Sequence, residues 1–77
     1  MRISIIVPVL NEASFITQTL STLQPLRAAG HELIVADGGS SDDTIALSQP
    51  LADQIIRSSK GRSRQMNAGS GSSTGEI

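Results

Sequence analysis

Apolar residues fall into three short runs, and this pattern predicts three buried strands. Residues 3–10 form a nearly continuous β-branched run, residues 33–36 form a second run, and residues 54–57 form a shorter third run. Runs that are apolar at successive positions are typical of strands covered on both faces in a parallel sheet. The sequence therefore predicts three parallel strands, with the second one closed by Asp37.

Helical patterns separate these runs. Apolar residues recur at i, i+4 and i+7 from Ile16, which predicts an amphipathic helix over residues 12–24. Asn11 is placed to cap its first turn, and Pro25 is expected to stop or kink it. A shorter helix is predicted over residues 44–48.

The last third of the chain predicts one more helix, over residues 62–68. Residues 69–75 consist only of Gly, Ser and Thr, which predicts a flexible loop, and residues 76 and 77 are expected to open a further strand. Strands that alternate with helices indicate an α/β fold with a Rossmann-like parallel sheet. We expect residues 1–77 to form a single unit of that fold.

Polar clusters follow each predicted strand at its carboxyl end, in residues 11–12, 37–43 and 60–64. Ligands of open parallel sheets bind beyond the carboxyl ends of the strands. We therefore expect the three clusters to border one crevice.

The acidic residues of these clusters allow two interpretations. Asp37 is either a hydrogen-bond acceptor for a nucleobase or ribose or the cap of the following turn. Glu12 is either a ribose ligand or a first-turn residue that complements a helix dipole. For Asp42 and Asp43, capping of the short helix is the favoured interpretation.

The basic cluster consists of Lys60, Arg62 and Arg64, on a Gly-containing segment that enters a predicted helix. Arg side chains and helix N-termini both favour phosphate, so a diphosphate is a suitable ligand, and a solvated basic loop is the alternative. Residues 69–75 meet neither the dinucleotide fingerprint nor the P-loop pattern, because they follow a helix and no Lys-Ser or Lys-Thr ends them.

Composition narrows the classes further. The net charge is −1 and Phe15 is the only aromatic residue, which argues against nucleic-acid binding. With no Cys and one His, a disulfide and a Cys/His zinc site are excluded. Pro8 interrupts the first apolar run, and Asn11 follows where a signal peptide would carry small residues. We expect a cytoplasmic protein, with a peripheral position at the inner membrane face as the alternative.

Three ordered motifs resemble family 2 glycosyltransferases of the GT-A fold. Residues 5–12 (IIVPVLNE) and 32–44 (ELIVADGGSSDDT) are similar to the family's P-x-x-N-E and D-G-S-x-D-x-T signatures. Residues 61–69 (GRSRQMNAG) resemble the G-R-x-x-Q-M-N-x-G pattern of a bacterial subgroup. The second motif departs by Gly39 and an extra Ser, and by Asp43 in place of the commoner Gly.

The resemblance implies that this chain is the nucleotide-binding portion of a glycosyltransferase of the hexosyltransferase type, which uses a UDP- or GDP-sugar. Glu12 would then bind the ribose, Asp37 the base edge with Ser40 nearby, and Arg62 and Arg64 the diphosphate. The residues implied in nucleotide binding are Pro8, Leu10, Glu12, Asp37, Ser40, Arg62 and Arg64.

The resemblance also implies a divalent cation, Mg²⁺ or Mn²⁺, on an Asp-x-Asp motif that lies beyond these residues. We accordingly expect the 77-residue chain alone to be inactive. The first strand would be left as a free apolar edge, through which we expect self-association into a homo-oligomer.

Two alternatives stay open on the sequence. The first is a small nucleotide-binding or interaction module without catalysis. The second, a nicotinamide-dependent oxidoreductase, is disfavoured because no glycine fingerprint follows the first strand.

Overall fold

The protein folds into one three-stranded parallel sheet with helices on both faces, as seen in a computed structural model that describes residues 2–74 apart from the side chains of Arg62 and Ser72. The sheet order is β1-β2-β3. This confirms the predicted α/β fold with a Rossmann-like parallel sheet. The strands are β1 Ser4–Val9, β2 Glu32–Asp37 and β3 Gln54–Arg57, and the helices are α1 Ile16–Ser21, α2 Gln24–Ala28, α3 Thr44–Ser48 and α4 Arg62–Ser72, with a 3₁₀ turn at Gln49–Leu51.

Strand β2 lies at the centre, and all six of its residues are buried. Its alternating side chains face two different layers, because successive residues of a strand point to opposite faces. Leu33 and Val35 join the main core with Ile16 and Leu20 of α1. Helix α4 packs on the sheet, and at Gly69 the packing is so close that a Cβ atom would clash with the Ile6 side chain. The continuous apolar runs of the sequence are explained by these two covering layers.

The predicted helix over residues 12–24 is wrong in its bounds. Helix α1 begins only at Ile16, and Asn11 does not cap it, because Asn11 adopts a left-handed backbone with φ of 50°. Pro25 does not end a helix either. It lies in the first turn of α2, where its missing N–H has no intrahelical acceptor to lose.

The predicted flexible loop over residues 69–75 is also wrong for its first four residues, which continue α4 as far as Ser72. Tertiary packing explains the difference, since α4 contacts all three strands and helix stability in proteins comes mainly from such packing. Gly75 and the strand expected at residues 76 and 77 lie outside the described residues.

Strand β1 pairs with β2 alone among the described residues, so its other edge has no strand beside it there. Self-association through this edge stays a prediction. Within residues 2–74, none of the helices combines the length and apolar character needed to cross a bilayer.

Candidate functional site

Three loops meet at one edge of the sheet, beyond the carboxyl ends of the strands. The register pairs Val9 with Asp37 and Asp37 with Arg57, so the three strands end at the same level. We call the loops at residues 10–13, 38–43 and 58–61 the carboxyl edge. These loops contain most of the polar residues that the sequence singles out.

Asn11 joins the first loop to the second. Its backbone N–H donates to the Ser40 hydroxyl at 2.9 Å, and its side-chain Oδ1 accepts from the Ser41 N–H at 2.7 Å. The left-handed backbone, which Asn tolerates better than most residues, brings both groups toward the second loop. Asn11 is therefore an inter-loop connector and not a helix cap.

Asp42 makes a second connection between the same loops. One carboxylate oxygen accepts from the Thr44 N–H and hydroxyl, and the other accepts from the Ala13 N–H at 3.2 Å. The Thr44 hydroxyl bond is the main reason that the pKa of Asp42 lies below its ordinary value. Asp42 thus binds the first residue of α3 and also the first loop, whereas the predicted capping by Asp43 is wrong, because Asp43 is the N-cap residue but makes no side-chain cap hydrogen bond. Thr44 also accepts from the Glu12 N–H at 2.8 Å.

Asp37 adopts the turn-capping geometry. Its side chain is fully buried and accepts from the Gly39 and Ser40 N–H groups at 2.9 and 2.8 Å and from the Ser40 hydroxyl at 2.5 Å. Gly39 has φ of 104°, a conformation that other residues rarely adopt. As the turn stands, the carboxylate is not exposed to a ligand, and a contact with a base edge would require Ser40 to move.

Glu12 differs from Asp37, because its side chain is exposed and only its backbone carbonyl accepts hydrogen bonds from the start of the following helix. The Glu12 carbonyl accepts from the Phe15 and Ile16 N–H groups at the entry to α1. No hydrogen bond or ion pair to its carboxylate is found among residues 2–74. Of the neighbouring predicted residues, Pro8 and Leu10 are half-buried.

Gln65 is the residue at this edge that sequence reasoning missed. Its side chain is buried, and its Nε2 donates to the carbonyls of Val9 and Ala36, both at 2.8 Å, at the ends of β1 and β2. Its Oε1 accepts from the Gly61 N–H at 3.3 Å, and Gly38 packs directly against the amide. The signal that could have found it is the Gln in the third motif, on a helix predicted to start at this edge.

The cationic side of the edge lies around the start of α4. Arg57 ends β3, and Lys60 and Arg64 follow in or near the third loop with exposed side chains. The side chain of Arg62 lies outside the described part of the structure, although its backbone opens α4. The segments that carry Glu12, Asp37 and Arg62 therefore come together at this edge. The described residues form an open surface here and enclose no pocket.

Comparison with protein families identifies the family of this chain. The sequence model of Glycosyl transferase family 2 matches residues 4–77, nearly the whole chain. The chain belongs to glycosyl transferase family 2. Comparisons with curated proteins and with solved structures found no match. Family membership confirms the resemblance that the three motifs suggested.

The resemblance to family 2 glycosyltransferases implies a divalent cation. In residues 2–74, no group of three or more His, Cys, Asp or Glu side chains is placed to hold a metal ion. Asp37 and Asp42 instead use their oxygens on backbone and hydroxyl donors. The described residues therefore do not fit a metal centre by themselves, and the cation stays a prediction.

Proposed function

We propose that the carboxyl edge binds the nucleoside diphosphate part of a UDP- or GDP-sugar and serves an enzyme that transfers a hexosyl group to an acceptor. The observation that carries this proposal is the family match over residues 4–77. The meeting of the three motif segments at one edge of the sheet supports it, because ligands of such sheets bind at that edge.

The accessible groups suggest how the ligand lies. The exposed carboxylate of Glu12 can accept hydrogen bonds from ribose hydroxyls, while the half-buried Pro8 and Leu10 offer apolar surface to the nucleoside. Lys60 and Arg64 supply positive charge for the diphosphate at the other end of the edge. In this arrangement Asp37 supports the site from beneath by holding the Ser40 turn.

Calorimetric titration with UDP, GDP and NAD tests the proposal. We expect UDP or GDP to bind more tightly than NAD. The variant Arg64→Gln should weaken UDP or GDP binding by about tenfold, the effect of losing one charge-assisted phosphate contact. Arg2→Gln is the matched control, because Arg2 lies near the amino ends of the strands, with its guanidinium 3.8 Å from the Glu32 carboxylate.

Preference for NAD would refute the proposal, and so would equal effects of the two Arg substitutions. An increase in salt should weaken binding to the wild-type chain more than to Arg64→Gln, since part of the attraction is between exposed charges.

A further inference from the structure

Gln65 lies where the ends of β1 and β2 meet the start of α4. Through its side chain it bonds to the ends of β1 and β2, and its backbone N–H donates to the Gly61 carbonyl at 2.9 Å. Since Oε1 also accepts from the Gly61 N–H, the start of α4 is attached to the sheet by one side chain.

The amide of Gln65 suits this position for a chemical reason. It offers two N–H donors and one oxygen acceptor, and here both kinds of group are used. The amide also packs closely on Gly38, where a Cβ would come within 2.8 Å of Oε1. The contact therefore fixes the separation between the glycine turn after β2 and the loop that carries Lys60.

We propose that Gln65 is a positioning residue that sets the distance between the turn at residues 38–40 and the basic segment at residues 60–64, and that it thereby determines how strongly the diphosphate contributes to nucleotide binding. This inference rests on the proposed function of the carboxyl edge. Gln65 itself is buried, so its effect on the ligand would be exerted through the two segments that it joins.

The matched pair Gln65→Met and Gln54→Met tests the proposal. Gln54 also donates its side-chain amide to a buried acceptor, Glu32 Oε2 at 2.8 Å, but at the opposite edge of the sheet. The readout is the ratio of the dissociation constants for uridine and UDP, or for guanosine and GDP. We expect Gln65→Met to lower this ratio about tenfold, by weakening the diphosphate alone. Gln54→Met should leave it unchanged.

If Gln65 only stabilised the fold, its substitution would not alter this ratio in protein that is folded. Equal losses for nucleoside and diphosphate, or the same change of ratio in both variants, would overturn the inference. If Gln65→Met does not fold, Gly38→Ala displaces the same amide from the other side and should lower the ratio in the same direction.

Amide hydrogen exchange measured by NMR separates this inference from the proposed function. If the wild-type chain binds neither nucleoside nor diphosphate, the proposed function fails, and exchange still tests the positioning. We expect the Gly61 N–H to exchange at least about tenfold faster in Gln65→Met, or in Gly38→Ala, than in the wild type and Gln54→Met. Unchanged exchange at Gly61 would overturn the positioning role whatever the ligand result.

Discussion

Strand β2 begins and ends with a buried carboxylate, and the two carboxylates are held in different ways. Glu32, at the amino end, is bonded by residues that are distant in sequence. At the carboxyl end, the Asp37 carboxylate accepts hydrogen bonds, within residues 2–74, only from Gly39 and Ser40. The partners of Glu32 are the Ser4 hydroxyl, the Gln54 amide and the Thr74 N–H, each at 2.8 Å, and the Arg2 guanidinium at 3.8 Å.

The contrast separates two functions of a buried charge. Glu32 connects β1, β3 and the residues after α4, so it holds the tertiary arrangement together. Asp37 shapes one turn, and through Ser40 it positions the first loop at Asn11. A carboxylate with non-local partners should therefore matter most for global stability, and one with local partners for the geometry of the carboxyl edge.

The amide substitutions Glu32→Gln and Asp37→Asn should give the largest difference. In Glu32→Gln the charge is lost and an NH₂ group replaces one acceptor oxygen, so the hydrogen bond from the Gln54 amide or from the Thr74 N–H is lost and the remaining bonds are no longer charge-assisted. We expect the free energy of unfolding to fall by about 2–3 kcal/mol. In Asp37→Asn the remaining oxygen can still accept from Gly39 and Ser40, and we expect a loss of about 1 kcal/mol or less.

Urea denaturation of the two variants and the wild type measures both values. Equal losses would show that local and non-local partners stabilise a buried carboxylate to the same extent. A larger loss in Asp37→Asn would reverse the comparison.

The pH dependence of stability gives a second test of the role of Glu32. The Thr74 backbone amide, helped by Gln54 and Ser4, lowers the pKa of Glu32 from 4.5 to about 2 against the opposing effect of burial. A carboxyl whose pKa is lower in the folded state stabilises the fold fully above the unfolded value, and this contribution is lost as the pH falls. We expect stability to decline from pH 4.5 toward pH 2.

Glu32→Gln should flatten much of that decline relative to the wild type. Thermal unfolding at a series of pH values checks this. The exposed Asp42, whose pKa is also lowered, should leave a small residual slope in Glu32→Gln. A full slope in Glu32→Gln would show that another group causes the acid sensitivity.

The smallest effects concern α4, which begins at the carboxyl edge and ends at Ser72, two residues before the Thr74 that donates to Glu32. A Cβ at Gly69 would lie 2.5 Å from Ile6 Cγ2, whereas a Cβ at Gly71 would meet nothing within 4 Å. Gly69→Ala should therefore lower the free energy of unfolding by about 1–2 kcal/mol through overpacking. Gly71→Ala, the matched control, should raise it by about 0.5–1 kcal/mol through helix propensity. Denaturant unfolding distinguishes the two, and a stabilising Gly69→Ala would show that α4 does not pack closely on β1.

Local patterns were sufficient for much of the fold. Residues 54–57 and 44–48 were predicted with the bounds that β3 and α3 have, because short apolar runs and turn residues act within a few positions. The helix over residues 12–24 failed because the bonds that redirect Asn11 come from Ser40 and Ser41, about thirty residues away. The loop expected at residues 69–75 failed because Gly69 looks flexible in sequence but serves close packing here.

For the candidate site, the sequence determined which segments meet, since the carboxyl ends of parallel strands share one edge. It did not determine which side chains face a ligand. Asp37 ends β2 and Glu12 lies three residues beyond the end of β1, and both are acidic, yet only Glu12 is exposed.

The sequence by itself thus fixed the family, the order of strands and helices, and the edge at which the motifs lie, because these depend on local composition and ordered motifs. Only the tertiary structure decided that Asp37 is enclosed by its own turn, that Glu32 has partners in three distant segments, and that Gln65 attaches α4 to the sheet. The physical reason is that a buried polar group is satisfied by whichever partners the fold brings to it, and for Glu32 and Gln65 those partners lie far away in sequence.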